Sequence, residues 1–194
     1  SVKTPYRNLD PDGPTSIPDD PSVPPSVLTD VVVLPFNNIS VCETIIRKHK
    51  DQLAAVIMEP VFSSIGYVPA QAQFLAGIRD LTRDLGILLI FDEVQTGLGR
   101  LGKLFGYEVY EVEPDIITLA KGLGGGIPIG AFLAKDHAAV FEPKSEHGST
   151  FGGNVLTCAA AHASTQFIIN NEIPAKADDM GKYLMGKLLD LKER

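Results

Sequence analysis

The feature that most constrains this chain is a set of short apolar runs, each of which stops at an ionisable residue. Ala54–Met58 runs into Glu59-Pro60, Ile87–Phe91 into Asp92-Glu93, and Ile116–Ala120 into Lys121. Runs this short, bounded by turn residues, predict strands buried on both faces. Between the first two, residues 70–84 carry Phe74, Leu75, Ile78 and Leu81 at helical spacing, with Leu85 just beyond. Further strands are predicted at Val31–Leu34 and Ile129–Leu133. Further helices are predicted at 40–52 (Ser40 as N-cap, Glu43 at the capping-box spacing), 154–169 and 175–192. Strands alternating with helices predict an α/β fold: a three-layer arrangement around a mainly parallel sheet. Ligands of open α/β sheets sit outside the carboxyl ends of the strands. Glu59, Asp92 and Lys121 are therefore a candidate site. The plainer reading is that charges end strands because the chain must return to water.

Charge and length exclude several classes. The net charge is −7 with no long Lys/Arg run, so no nucleic-acid partner is expected. No apolar stretch approaches the ~20 residues of a membrane span. Cys42 and Cys158 lie far apart and form no C-x-x-C pair. That predicts a reducing, cytoplasmic setting, with an organellar address upstream of residue 1 left open. No His/Cys/Asp spacing predicts a metal site. His49 reads as solvated, and His137 and His162 as structural. Residues 8–26 are rich in Pro, Asp and Ser, so residues 1–29 are expected to form an irregular arm. The chain lacks an initiating Met and stops within helical sequence, which is expected of a piece of a longer protein.

Two glycine-rich segments need separate treatment. Gly97, Gly99 and Gly102 spell G-x-G-x-x-G and nearly a P-loop. Leu104 stands where the P-loop needs Ser or Thr. The dinucleotide form needs its first glycine at the strand end, yet five polar or charged-flanked residues, 92–96, intervene. Both are read as coincidental. Gly148–Asn154 differs: Ser149 and Thr150 precede a predicted helix start, where hydroxyls and amides favour an anion such as phosphate, or else simply cap the helix.

Four segments in series resemble the class III, fold type I aminotransferases, the family of the acetylornithine, ornithine and 4-aminobutyrate aminotransferases. They are Ala55–Pro60 (AVIMEP), Ile90–Arg100 (IFDEVQTGLGR), Pro114–Gly126 (PDIITLAKGLGGG) with Pro128–Ala131, and His147–Asn154 (HGSTFGGN). The resemblance covers about residues 30–194. It implies pyridoxal 5'-phosphate as cofactor, Lys121 as its Schiff-base lysine, and Asp92 as partner of the pyridine N–H. It places Val94 on one ring face and Gln95 at the phenolic oxygen. Thr150, with Ser149 beside it, would reach the phosphate held by a neighbouring subunit, and Glu59 would lie near the substrate. The implied activity is transfer of an amino group between an amine or amino acid and a 2-oxo acid, in a homodimer with composite sites. Many members carry Gln-Gly-Glu-Gly-Gly after Glu-Pro, whereas this chain has Val61-Phe-Ser-Ser-Ile-Gly66. The related dialkylglycine decarboxylases have a more similar Ser-Ser, so an aminomutase or decarboxylase is the alternative within the fold, and a non-catalytic binding or dimerisation fragment the alternative outside it. The resemblance further implies that residues 30–170 are the central part of the cofactor domain, incomplete at both ends. Residues 171–194 would be a helix leading to a separate small domain.

Overall fold

The computed structural model describes residues 2–3, 17–18, 20–141 and 147–193. It forms two compact units, Ser1–Ala54 with Ala70–Ile87, and Ala55–Pro69 with Leu88–Arg194.

In the first unit, β1 (Val2–Lys3) pairs antiparallel with β2 (Ile17–Pro18). The rest of the arm expected before residue 20 lies outside the described residues. Proline in the first turn starts the short helix α1 (Pro25–Thr29). Val31–Leu34, expected as a strand, is irregular, since a run of four apolar residues fits any buried segment. Helix α2 (Ile39–His49) is capped by Asn38 rather than Ser40. The Asn38 carboxamide oxygen accepts from Val41 N at 3.3 Å, and its carbonyl accepts from Cys42 N, so the helix begins two residues before the expected cap would allow.

Helix α3 (Ala72–Leu85) buries Phe74, Leu75, Ile78 and Leu81, the stripe expected from the sequence. It packs on α2, which contributes Cys42, Ile45 and Ile46. A glycine permits the close approach: a Cβ on Gly77 would lie 2.8 Å from Ile39 Cγ1. Phe36 meets Phe74 edge-on at 5.4 Å. Burial pushes the Cys42 thiol up to about 12, so this sulfur acts as a small apolar side chain.

The second unit holds the sheet. Its strands are β3 (Ala55–Met58), β6 (Leu88–Asp92), β7 (Ile116–Leu119) and β8 (Ala131–Ala134), in the order β3-β6-β7-β8. A two-stranded ribbon, β4 (Val61–Phe62) and β5 (Val68–Pro69), follows β3. Strand β6 pairs parallel with β3 and with β7. Strand β6, expected to be buried on both faces, instead alternates: Leu89 and Phe91 are fully buried, while Leu88, Ile90 and Asp92 are half-buried. Strand β8 runs antiparallel to β7. The connection between them, residues 120–130, is shorter than the dozen or so residues a parallel crossover needs.

Three helices complete the unit: α4 (Tyr107–Tyr110), α5 (Val155–Asn170) and α6 (Ile173–Lys192). Asn154 caps α5 by accepting from Leu156 N and Thr157 N. Helix α5 lies against a 3-10 turn, Lys121–Gly124, where Ser164 Oγ donates to Gly122 O at 3.0 Å. The architecture is mixed α/β with a mainly parallel sheet.

Gly86 ends α3 at φ +68, and its N–H and that of Ile87 return to Arg83 O and Thr82 O. A Cβ there would meet nothing within 4 Å, so any penalty is conformational. Gly86→Ala should cost about 1 kcal/mol and Gly86→Asn less, because Asn tolerates the left-handed region. Denaturant midpoints of the two variants check this. Equal losses would mean that φ at this position is not what the glycine supplies.

Candidate functional site

The parallel register brings Glu59 and Asp92 level and sets Lys121 a little beyond them on the next strand. Met58 pairs with Phe91, so Glu59 and Asp92 leave their strands side by side; Asp92 pairs with Thr118, three residues before Lys121. Asp92 Oδ1 accepts from Val94 N at 3.0 Å and from Thr118 Oγ1 at 3.2 Å. Both bonds fall on one carboxylate oxygen, and among the described residues Oδ2 takes none. Asp92 and Val94 are half-buried. Glu59 Oε2 accepts from Ser63 N at 3.3 Å and Ser63 Oγ at 2.5 Å, which ties the ribbon loop to the end of β3.

Lys121 begins the 3-10 turn after β7 at φ +43, in the left-handed region. An L residue held there costs roughly 1–2 kcal/mol. The turn around it sustains this geometry: Leu123 N donates to Ala120 O, and Gly125 N to Gly122 O. Gly125, at φ +58, closes the turn, and a Cβ there would press on Ser164 of α5 at 3.3 Å. Lys121 Nζ donates to Gln95 Oε1 at 2.5 Å. Gln95 Nε2 in turn donates to the Tyr67 hydroxyl at 3.3 Å. Lys121, Gln95 and Asp92 are thus gathered at one end of the sheet.

Gln95 owes its place to its neighbour Glu93. Glu93 continues the ladder, donating its N–H to Thr118 O, but its side chain is only 1% exposed. The carboxylate accepts from Gly106 N at 2.5 Å, Tyr107 N at 2.8 Å and Thr96 Oγ1 at 3.0 Å. These bonds cinch the loop between β6 and α4. Burial pushes the Glu93 carboxyl above its ordinary value, and the three donors oppose that shift. Gly97 donates to Glu93 O, and a Cβ on it would lie 2.9 Å from that oxygen. Gly97 therefore packs the loop on its own acceptor, whereas a Cβ on Gly99 or Gly102 would meet Pro174 or Asp178 of α6.

Ser149 and Thr150 are exposed in the segment before α5. Ser149 Oγ accepts from Gly152 N at 3.0 Å. No hydrogen bond among the described residues ties either hydroxyl to the Asp92–Gln95–Lys121 group. The helix-start amides expected to face an anion are partly spent on Asn154. No group of three or more potential metal ligands occurs among the described residues, and none of the described helices is long and apolar enough to cross a membrane. The sequence reading missed Tyr67, Glu93 and Thr118 as site builders. Thr118 carried a signal, as the polar residue inside an apolar run; Tyr67 carried none.

The aminotransferase class III family profile matches residues 20–194. This chain belongs to the class III aminotransferases. Curated relatives include the acetylornithine aminotransferase of Methanocaldococcus jannaschii, 46% identical over 161 residues, which are 83% of this chain and 40% of that protein. The succinylornithine transaminase of Photorhabdus laumondii is 46% identical over 167 residues, 85% of this chain and 40% of its own length. Among solved structures, the acetylornithine aminotransferase of Elizabethkingia anophelis superposes with a TM-score of 0.78 at 36% identity, over 84% of this chain and 43% of that one. The ornithine delta-aminotransferase of Plasmodium falciparum gives 0.75 at 35%, over 81% and 41%. The chain spans about 40% of the length of the curated class III aminotransferases it matches.

Glu93 makes a pH-dependent contribution whose sign can be worked out. Its folded carboxyl holds the proton to higher pH than the unfolded chain, so the folded form binds more protons just above the ordinary value of 4.5. The contribution of Glu93 to stability therefore falls as pH rises through that window. Glu93→Gln lacks this component and leaves one loop N–H facing an amide NH2, a loss of about 1–3 kcal/mol. The deficit of the variant should be largest at the acid end and shrink as pH rises. Denaturant titration of both proteins from pH 4 upward checks this, and a deficit that grows with pH would show that the three donors outweigh burial.

Proposed function

We propose that the complete protein is a pyridoxal 5'-phosphate-dependent aminotransferase, with Lys121 as the residue that joins the cofactor. The observation that carries this reading is Lys121 itself: an amine at a strand end, on strained backbone, bonded to Gln95 and three residues past the partner of Asp92. The residues present suit the cofactor. The uncommitted Oδ2 of Asp92 would accept the pyridine N–H, and a carboxylate there favours the protonated ring. Val94 would pack on a ring face, and Gln95 would face the phenolic oxygen. Bound in this way, the cofactor supplies an electron sink for bond breaking at the substrate Cα. Lys121 Nζ is the group placed to move a proton there, and Glu59 lies beside the space a substrate would enter.

The small-molecule partners of this reading are an amino donor and a 2-oxo acid. The phosphate would be met by Thr150, with Ser149, of a second copy, so the working form is a homodimer with composite sites. Support for a covered surface comes from the same segment, where Phe151 is 82% and Val155 84% exposed. Helix α6 would lead into a further domain, with residues 30–170 as the middle of the cofactor domain. A cytoplasmic location fits the two free thiols, one of them exposed.

Borohydride reduction of the complete enzyme with pyridoxal 5'-phosphate should leave the pyridoxyl group on Lys121 alone. Peptide mapping that finds it on Lys103 or Lys135 would refute the assignment. The composite site has its own test in mixed dimers of Thr150→Ala with Lys121→Ala subunits. The subunit that keeps Lys121 receives an intact Thr150 only if the hydroxyl crosses between subunits. Verified heterodimers should then retain the cofactor about ten- to a hundred-fold better than Thr150→Ala homodimers, the worth of a hydrogen bond to a charged group. Heterodimers no better than the homodimer would place Thr150 in its own subunit's site.

A further inference from the structure

We infer that Tyr67 is a positioning residue for Lys121, acting through the carboxamide of Gln95. The inference rests on the reading of Lys121 as the cofactor lysine. Its geometric part stands on three observations. Lys121 Nζ lies 2.5 Å from Gln95 Oε1, and Gln95 Nε2 lies 3.3 Å from the Tyr67 hydroxyl. Tyr67 is held at φ +57, one of few non-glycine residues in the left-handed region. Its loop is anchored at the base of the site, because Glu59 binds Ser63, and Ser63 O accepts from Tyr67 N at 3.4 Å.

The chain of bonds has only one workable polarity. An ammonium has three donors and no acceptor, so the atom of Gln95 that meets Lys121 must be the oxygen. The NH2 then faces Tyr67, whose oxygen accepts. Rotating the amide by half a turn would set its NH2 against the ammonium and lose the bond. Tyr67 therefore holds the carboxamide in the orientation that Lys121 needs, as an acceptor located where the amide nitrogen must go. The Tyr67 O–H hydrogen is not used in this bond and remains able to donate to a ligand oxygen. With the Tyr67 side chain 63% exposed, its ring is not part of the core, so the hydroxyl can be removed without a packing defect. Loop strain and loop anchoring thus serve one end: they deliver a phenol oxygen to Gln95.

The test uses the complete enzyme freed of cofactor and reads the amine directly. The rate of acylation of Lys121 by a small activated ester is followed by peptide mass mapping, with Lys103 and Lys135 as internal references. Tyr67→Phe should raise the Lys121 rate about three- to tenfold, the worth of one ordinary hydrogen bond, and leave the references unchanged. Gln95→Ala should raise it at least as much, and the double variant should react no faster than Gln95→Ala alone, since both changes break one chain. An unchanged Lys121 rate in Tyr67→Phe, or additive effects in the double variant, would overturn the inference. A general loosening would move the reference lysines too, and that outcome also counts against it. Labelling does not involve the cofactor. Failure of the cofactor reading would appear separately, as borohydride trapping away from Lys121.

Discussion

The site depends on the pairing of β6 on both of its edges. Parallel ladders to β3 and β7 bring the three strand ends to one edge of the sheet, Glu59 beside Asp92 and Lys121 three residues past the partner of Asp92. A slip of one residue would turn every side chain to the opposite face, which buried Leu89 and Phe91 forbid. Apolar burial in the middle of the strand therefore fixes the position of the polar residues at its end. The energy of the core and the geometry of the site are the same constraint seen from two directions.

The two acids that end β6 show how the strand divides its labour. Successive side chains on extended chain point to opposite sides. Asp92 stays half-buried at the strand end with one oxygen uncommitted, while Glu93 is buried and fully occupied in the loop it closes. One keeps an oxygen free and the other is spent wholly on the protein. Burying a carboxyl is costly unless donors surround it, and the backbone amides of Gly106 and Tyr107 with the Thr96 hydroxyl do so. The outcome is a rigid loop carrying Gln95, so a group remote from any ligand settles the place of one that would touch it.

Much of this was legible in the sequence because the signals were local. The strands ending at Glu59, Asp92 and Lys121 appear within a residue or two of their expected places, and the stripe of α3 follows its 3.6-residue period. What was not legible depended on distant partners. The antiparallel turn of β8 follows from a connection too short to cross over, which the apolar pattern alone does not reveal. Asn38 displaced Ser40 as a cap because two nearby polar residues compete and only the packed helix decides between them. Tyr67 is invisible in the sequence: its role depends on a hydroxyl meeting an amide 28 residues away.

The choice of a neutral amide to hold Lys121 has a consequence of its own. Among the described residues Lys121 forms no ion pair, although Asp92 ends the adjacent strand. The Asp92 Oδ1 atom is occupied by Val94 N and Thr118 Oγ1, and Gln95 takes the amine. A direct pair of ammonium and carboxylate would add the attraction of two full charges to the bond that the ammonium makes with a neutral amide oxygen. It would also spend the carboxylate on the protein. Holding the amine by an amide gives it direction with less to lose on release, and keeps the acid available for a different donor. The fold achieves it by setting the Gln95 oxygen against the amine, and Val94 N and Thr118 Oγ1 against one oxygen of the acid.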